Sequence, residues 1–341
     1  MREINIPGHQ LSDDLFEEAE STSKVINKIN EKQTSYWKDS WLRLKKNKGA
    51  LIGLIIMLLI LFFAIFGPYM NSYGFDDQNL ERANLPPKVP MLENISFLGF
   101  DGIDIRGEDQ YALKGVDEYF WFGTDSLGRD IWTRIWEGTR ISLYIAFLAA
   151  ALDLIIGVAY GSISAYYGGR VDNVMQRIIE VLMGIPNLII IILLILILQP
   201  GIISITLAMV ITGWVSMARI VRGQILKLKK QEFVLASRTL GARDRKLLWG
   251  HLIPNSFGPI IITTMFTIPN AIFTEAFLSF IGLGLQPPIA SLGTIVNDGF
   301  ELIRIYPHIL LFSSIIISLI MVSFNLLGDG LRDAFDPKMK R

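Results

Sequence analysis

Cysteine is missing altogether from this chain of 341 residues. Its absence excludes disulfides, thiolate metal sites and cysteine nucleophiles, and leaves the redox compartment open. Histidine is scarce: His9, His251 and His308 lie far apart and offer no metal-ligand spacing. Charge is low as well. Charged residues make up 19% of the chain, against about 25% in an average soluble domain. The formal net charge is zero, so no overall field points to nucleic acid. Period-2 alternation is absent, which argues against an outer-membrane barrel. No internal repeat or low-complexity tract stands out.

What remains is apolar sequence. Hydrophobic residues reach 51% and the mean hydropathy is +0.42. A bilayer-spanning helix needs about 20 mostly apolar residues. Six blocks qualify: 49–67, 141–166, 178–198, 202–218, 259–283 and 309–327. Only helices satisfy their own backbone groups in lipid one segment at a time. The expected fold class is therefore an all-α polytopic membrane protein with six transmembrane helices. The first block follows 48 residues and precedes no small-x-small cleavage site, so it reads as an anchor rather than a signal peptide.

Lysine and arginine set the orientation. Residues 38–48 hold five basic side chains and one acid, Asp39, whereas 68–138 hold six basic and thirteen acidic. Residues 222–251 hold eight basic and two acidic, and the chain ends Lys338-Met-Lys-Arg341. These signs agree if both termini and the 222–251 loop are cytoplasmic and 68–138 lies outside. The expected divisions are a flexible tail at 1–35, an amphipathic interfacial helix at 36–48, helix 1 at 49–67 and an extracytoplasmic segment at 68–138. A core domain at 139–328 then carries a cytoplasmic loop at 222–256, and 329–341 is a cytoplasmic tail. In the interfacial helix Trp37, Trp41 and Leu44 share one face, a pattern suited to the headgroup region.

The most informative stretch runs from Glu232 to Pro254. Apolar Phe233, Ala236, Leu240, Leu247 and Leu248 sit in a polar loop between apolar blocks. Ala236 and Ser237 are small enough for close approach of another surface. Gly241 breaks or terminates the first helix, Arg243 to Lys246 begin a second, and Pro254 ends or kinks it. The stretch has the makings of a short, rigid knob for a partner's cleft.

The spacing of Ala236, Ser237, Gly241 and Pro254 resembles the loop by which permeases of ATP-binding-cassette importers dock onto their ATPases. Glu232 is displaced from that loop's usual Glu, and His251 stands where Ile is usual. Both departures match the variant of the dipeptide/oligopeptide permease family, Glu232-Phe-Val-Leu-Ala-Ser-Arg238 through Gly241-Ala242 to His251-Leu-Ile-Pro-Asn255. Phe122–Asp130, with Trp132-Thr-Arg134 and Gly138–Ser142, resembles the external lead-in to helix 2 of the C-type subunit. Phe280–Pro288 resembles the end of its helix 5. The likeness covers roughly 40–335.

The resemblance implies a type I importer permease working by alternating access in a bacterial cytoplasmic membrane, with lipid around it. It implies a homologous B-type permease, two cytoplasmic ATPases, an external substrate-binding protein and a peptide substrate. It implies no cofactor bound by this chain, since ATP and magnesium would be used by the ATPases; no Gly-x-x-x-x-Gly-Lys-[Ser/Thr] sequence is present. Glu232, Phe233, Ala236, Ser237, Arg238, Gly241, Ala242, Arg243 and Pro254 would form the ATPase-coupling site. Nickel permeases share these motifs and are the alternative within the class. A proton-coupled secondary transporter would need inverted repeats, and a membrane enzyme a convergent catalytic set.

Within the apolar blocks, Asp153 and Glu275 are ionisable, and such groups face a bundle interior or a water-filled path. They could contact a peptide's amino terminus, relay protons or pair with the partner permease. With Asn270 they are the candidate translocation-path residues, and Pro186 and Pro269 are candidate hinges. Asp125, Arg129 and Asp130 in the external segment either touch the binding protein or substrate, or form a buttress in which Arg129 pairs with carboxylates. Arg177 and Glu180 read as a local ion pair. Gly157 and Gly161 read as a close-packing motif.

Overall fold

The computed structural model describes residues 36–94 and 99–335; the expected 1–35 tail and the basic chain end lie outside them. The helices are α1 (Tyr36–Lys46), α2 (Lys48–Phe66), α3 (Gln110–Lys114), α4 (Ile131–Tyr167), α5 (Gly169–Gly184) and α6 (Asn187–Leu198). They continue with α7 (Ile202–Leu228), α8 (Glu232–Thr239), α9 (Asp244–Leu247), α10 (Phe257–Phe280), α11 (Leu292–Leu302) and α12 (Pro307–Phe335). Among the described residues the only β pairing is three isolated bridges in the segment before α4.

Among the described residues five helices are long and apolar enough to cross a bilayer: α2, α4, α7, α10 with its lead-in, and α12. The sixth expected span, 178–198, is not one straight helix. Ile185 and Pro186 break it into α5 and α6, bent by 82°. Pro186 has no N–H to give the helix, and its ring disfavours helical geometry at Ile185, which is extended. Pro269, by contrast, sits inside α10, which continues through it.

Three spans outrun their apolar blocks by several residues, α7 by continuing to Leu228. Helix α4 begins at Ile131 because the Asp130 carboxylate accepts from Thr133 N at 2.8 Å and caps it. Helix α12 runs on to Phe335, past the expected start of the tail at 329. Its last turns lie against α1 and the start of α2, where Gly330 faces Ala50 and Asn47 donates to Asp333 at 3.2 Å.

Packing follows small residues. Ala50, Gly53, Met57, Ile60 and Ala64 form the buried stripe of α2, while Ile52, Ile55, Leu59 and Phe62 on its other faces are bare. A Cβ on Gly53 would stand 2.8 Å from the carbonyl of Ser323, so glycine lets α2 close onto α12. Helices α4 and α7 form the most extensive pair. There Gly157 leaves room for Met217, and Gly161 lies on the backbone of Ala218. Helix α1 docks Ser40 and Leu44 inward and leaves Trp41 exposed, so the expected Trp41–Leu44 face is split between solvent or lipid and α12.

The segment between α2 and α4 has its own small core of Leu85, Tyr111, Val116 and Phe120. The Tyr111 hydroxyl donates to Pro86 O at 2.9 Å, and burial pushes its phenol far above the ordinary value. Phe122 stacks on Phe312 of α12 with ring centroids 4.0 Å apart, fastening this segment to the bundle.

Candidate functional site

Three polar constellations in the bundle differ in how their charges are satisfied. The first is a cavity of about 320 Å³ among α4, α6, α7 and α10, lined by Asp153, Asn187, Thr212, Ser216, Thr267 and Asn270. Asp153 is 5% exposed, and its Oδ1 has no hydrogen-bond partner among the described residues. The carboxylate lies over Gly213 of α7, where a Cβ would stand 2.7 Å from Oδ1. The two Ile-Pro-Asn sequences meet here, since Asn187 and Asn270 each follow a proline and both line the cavity.

The second constellation surrounds Glu275, which is 0% exposed. Ser142 Oγ donates to Oε2 at 2.8 Å and Ser279 Oγ to Oε1 at 2.9 Å. Leu292 N in turn donates to Ser142 Oγ at 3.3 Å. This knot ties α4, α10 and the first turn of α11, which rests on Gly138 of α4. The structure therefore does not bring Glu275 together with Asp153 and Asn270. Its carboxylate is turned into a helix junction, away from the residues that line the cavity.

The third lies at the start of α4. Asp125, Arg129 and Asp130 are all buried. Asp125 Oδ2 pairs with Arg129 Nε at 2.6 Å and with Arg134 Nε at 3.4 Å. Both arginines also reach Asp298 of α11, at 3.7 and 3.5 Å. Burial pushes the Asp298 carboxyl up more than the two guanidiniums pull it down. Among the described residues Asp130 has no cation partner; Asn71 donates to it at 2.7 Å, and burial raises its pKa above the ordinary carboxylate value.

The loop after α7 carries the expected docking residues. Val234 is buried in a cluster with Tyr166, Leu247, Leu248 and Leu252, which anchors α8 from below. Leu247 and Leu248 thus serve the loop's own core. Phe233 and Ala236 stay exposed, with Leu240 at 88% and Trp249 at 63%. Glu232, Arg238 and Arg243 are exposed and Ser237 and Ala242 partly so. Gly241 has φ +77°, and Ala242 N closes back on Ser237 O at 3.1 Å, ending α8 in the left-handed turn that glycine favours. Around Pro254 the chain does not stop. A π-helical turn at Leu248–Leu252 and a 3-10 turn at Pro254–Ser256 absorb the proline and lead into α10.

Tyr166, at the end of α4, joins this loop to the bundle. Its hydroxyl donates to Asp244, its carbonyl accepts from Lys229 Nζ, and its ring lies under Arg238 with 5.8 Å to the centroid. Beside it Arg222 grips Asp172 of α5 through two hydrogen bonds, 2.6 and 2.7 Å. Sequence reasoning passed over Tyr166, Asp172 and Asp298. It also passed over Thr263, Thr267 and Thr274, although their spacing with Asn270 of four, seven and eleven residues marks one helical face.

Residues 157–341 match the model of the binding-protein-dependent transport system inner membrane component. The chain belongs to this family of permeases. Residues 35–87 match the N-terminal transmembrane domain of oligopeptide transport permease C. This permease is 46% identical over 327 residues to the oligopeptide transport system permease protein OppC of Bacillus subtilis, covering 96% of this chain and 98% of that one. It is 43% identical to the dipeptide permease protein DppC of the same organism, over 98% and 95%. It is 34% identical to OppC of Escherichia coli K12, over 94% and 97%. Its fold is like that of a chain of the methionine transporter MetNI in an inward-facing form. The TM-score there is 0.50 at 15% identity, over 58% of this chain and 94% of that one. The protein is thus a multi-pass permease subunit of the bacterial inner membrane, of the type I importer fold, and such permeases work with an ATPase.

Proposed function

We propose that this permease carries oligopeptides and forms one half of a translocation pathway, its other half a homologous B-type permease. Both termini and the α8 loop face the cytoplasm, and the segment between α2 and α4 faces outward toward a substrate-binding protein. The near full-length likeness to oligopeptide and dipeptide permeases carries the substrate class, and the family does not favour the nickel alternative.

The geometry supports a mechanism of alternating access. Two ATPases close on ATP and displace α8, whose exposed Phe233, Ala236 and Leu240 seat in a cleft of the ATPase surface. Residues Glu232, Arg238 and Arg243 fix its register. Because Val234 and Tyr166 fasten α8 to the ends of α4, α7 and α10, the push reaches the spans as a body and switches the cavity's access. The break at Pro186 and the proline in α10 lie beside the cavity, where rotation of α6 and α10 changes its width. This chain binds neither nucleotide nor magnesium; both belong to the ATPases.

Uptake of a labelled oligopeptide in cells deleted for this gene, with and without restoration and at fixed external nickel, tests the reading. Lost uptake that restoration returns is the expected result. Intact peptide uptake with lost nickel accumulation would replace the substrate.

A further inference from the structure

We propose that Asp153 is the receiving group for a primary ammonium, the amino terminus of the peptide as it passes the middle of the bundle. The inference rests on the transport reading above and names the subsite within it. A carboxylate in a membrane interior is costly unless paired or functional. Asp153 sits 22 residues into α4, buried, with Oδ1 unpartnered among the described residues and the cavity in front of it. The bundle contrasts with it elsewhere: Asp125 and Asp172 have their guanidiniums and Glu275 has its hydroxyls.

The lining selects the ligand's chemistry. Thr263, Thr267 and Thr274 donate their hydroxyl hydrogens to the carbonyls of Pro259, Thr263 and Asn270, four residues back on α10. Thr212 donates to Asn187 Oδ1. Each hydroxyl is left with lone pairs, so the threonines act toward the cavity as acceptors. Threonine acceptors beside a lone carboxylate suit a compact cation with several N–H donors, and an ammonium has three. A metal ion fits poorly: among the described residues no three His, Cys, Asp or Glu side chains converge.

The cavity continues past Thr212 and Ser216 into a groove of about 280 Å³ that Arg219 lines. Arg219 follows Gly213 by six residues, about 9 Å along α7 at 1.5 Å per residue. A peptide held at Asp153 by its amino end therefore extends toward a cation.

The chain has no cysteine, so a single thiol reports cleanly. Asn270→Cys is introduced into the assembled transporter in lipid nanodiscs. Modification of this chain by a cationic ethylammonium thiosulfonate and by its anionic ethylsulfonate counterpart is followed by mass spectrometry. The cationic reagent is expected to react faster, by about tenfold for one nearby unscreened charge. Asp153→Asn should erase that preference and Asp153→Glu restore it. Tri-alanine should slow labelling, and N-acetyl-tri-alanine should not. Slowing by an acetylated peptide ending in lysine would assign the subsite to any primary ammonium rather than to the amino terminus. The proposal is overturned if Asp153→Asn leaves the reagent ratio unchanged, if Cys at 270 is unreactive, or if acetylated tri-alanine protects equally. Failure of the transport reading would instead appear as absent peptide uptake by the wild-type transporter. The reagent ratio still decides the subsite then, because the ethylammonium reagent is itself a primary ammonium.

Discussion

Asp125, just before α4, and Asp153, in its middle, are both buried carboxylates, and the fold treats them in opposite ways. Asp125 is held by two arginines that also reach Asp298. In the middle, Asp153 has only a cavity and Gly213 beside it. The difference separates two uses of buried charge. A matched cluster offsets its desolvation internally and fixes how elements meet. An unmatched group stays costly until something else approaches, which is why it points to transport rather than to architecture.

The sharpest way to break this contrast is to unmatch the cluster. Asp125→Ala leaves two buried guanidiniums short of a partner and should cost about 3–5 kcal/mol, read as a fall in thermal stability in detergent and in membrane abundance. Wild-type stability in that variant would mean that the cluster does not hold α4 to α11. Next in size is Gly161→Leu. The added side chain meets the backbone of Ala218, and overpacking should cost about 1–3 kcal/mol. It would show that α4 is structural on both sides of Asp153. Gly241→Ala forces a side chain into the left-handed region at φ +77°, a cost of about 1–2 kcal/mol. Since Gly241 is exposed, the expected readout is weakened coupling of ATP hydrolysis to uptake, with the melting temperature of the membrane core unmoved.

Asp130→Asn should change stability by less than about 0.5 kcal/mol in acid, below the ordinary carboxylate pKa, because Asn caps a helix as well as Asp. The sign with pH is specific. Burial raises the Asp130 pKa in the folded protein, so the folded state holds its proton longer and wild-type stability falls as pH rises through that value. The Asn variant has no such loss and should gain on the wild type as pH increases, as parallel melting curves across pH would reveal. The smallest stability effect belongs to Asp153→Asn, unchanged within about 0.5 kcal/mol or slightly stabilising, while peptide uptake drops. A large loss of stability there would place Asp153 among the structural carboxylates and erase the contrast.

The helices themselves were legible in advance, because apolar blocks of bilayer length leave few alternatives. The bend at Pro186 was legible as a kink but not as an 82° turn, since how far a proline-broken helix folds over depends on what receives the second half. Here α7 does so, with Ile191 and Ile195 buried. The Glu232–Pro254 loop was legible as a unit because its residues are consecutive. Leu247 and Leu248, grouped in the sequence with Phe233 and Leu240 as apolar residues of the knob, proved to be its anchor; one apolar residue type serves either face, and only the neighbours decide.

Sequence by itself determined that this chain crosses a membrane several times, that a charged loop interrupts the apolar blocks, and where glycine and proline punctuate it. These are local properties of hydropathy and backbone geometry. Only the tertiary structure decided that Glu275 is tied into a junction while Asp153 opens on a cavity, and that Arg134 and Asp298 complete the cluster around Asp125. Two acids in apolar blocks look alike in one dimension. What distinguishes them is that a residue more than a hundred positions away brings a hydroxyl to one, while a cavity lies in front of the other.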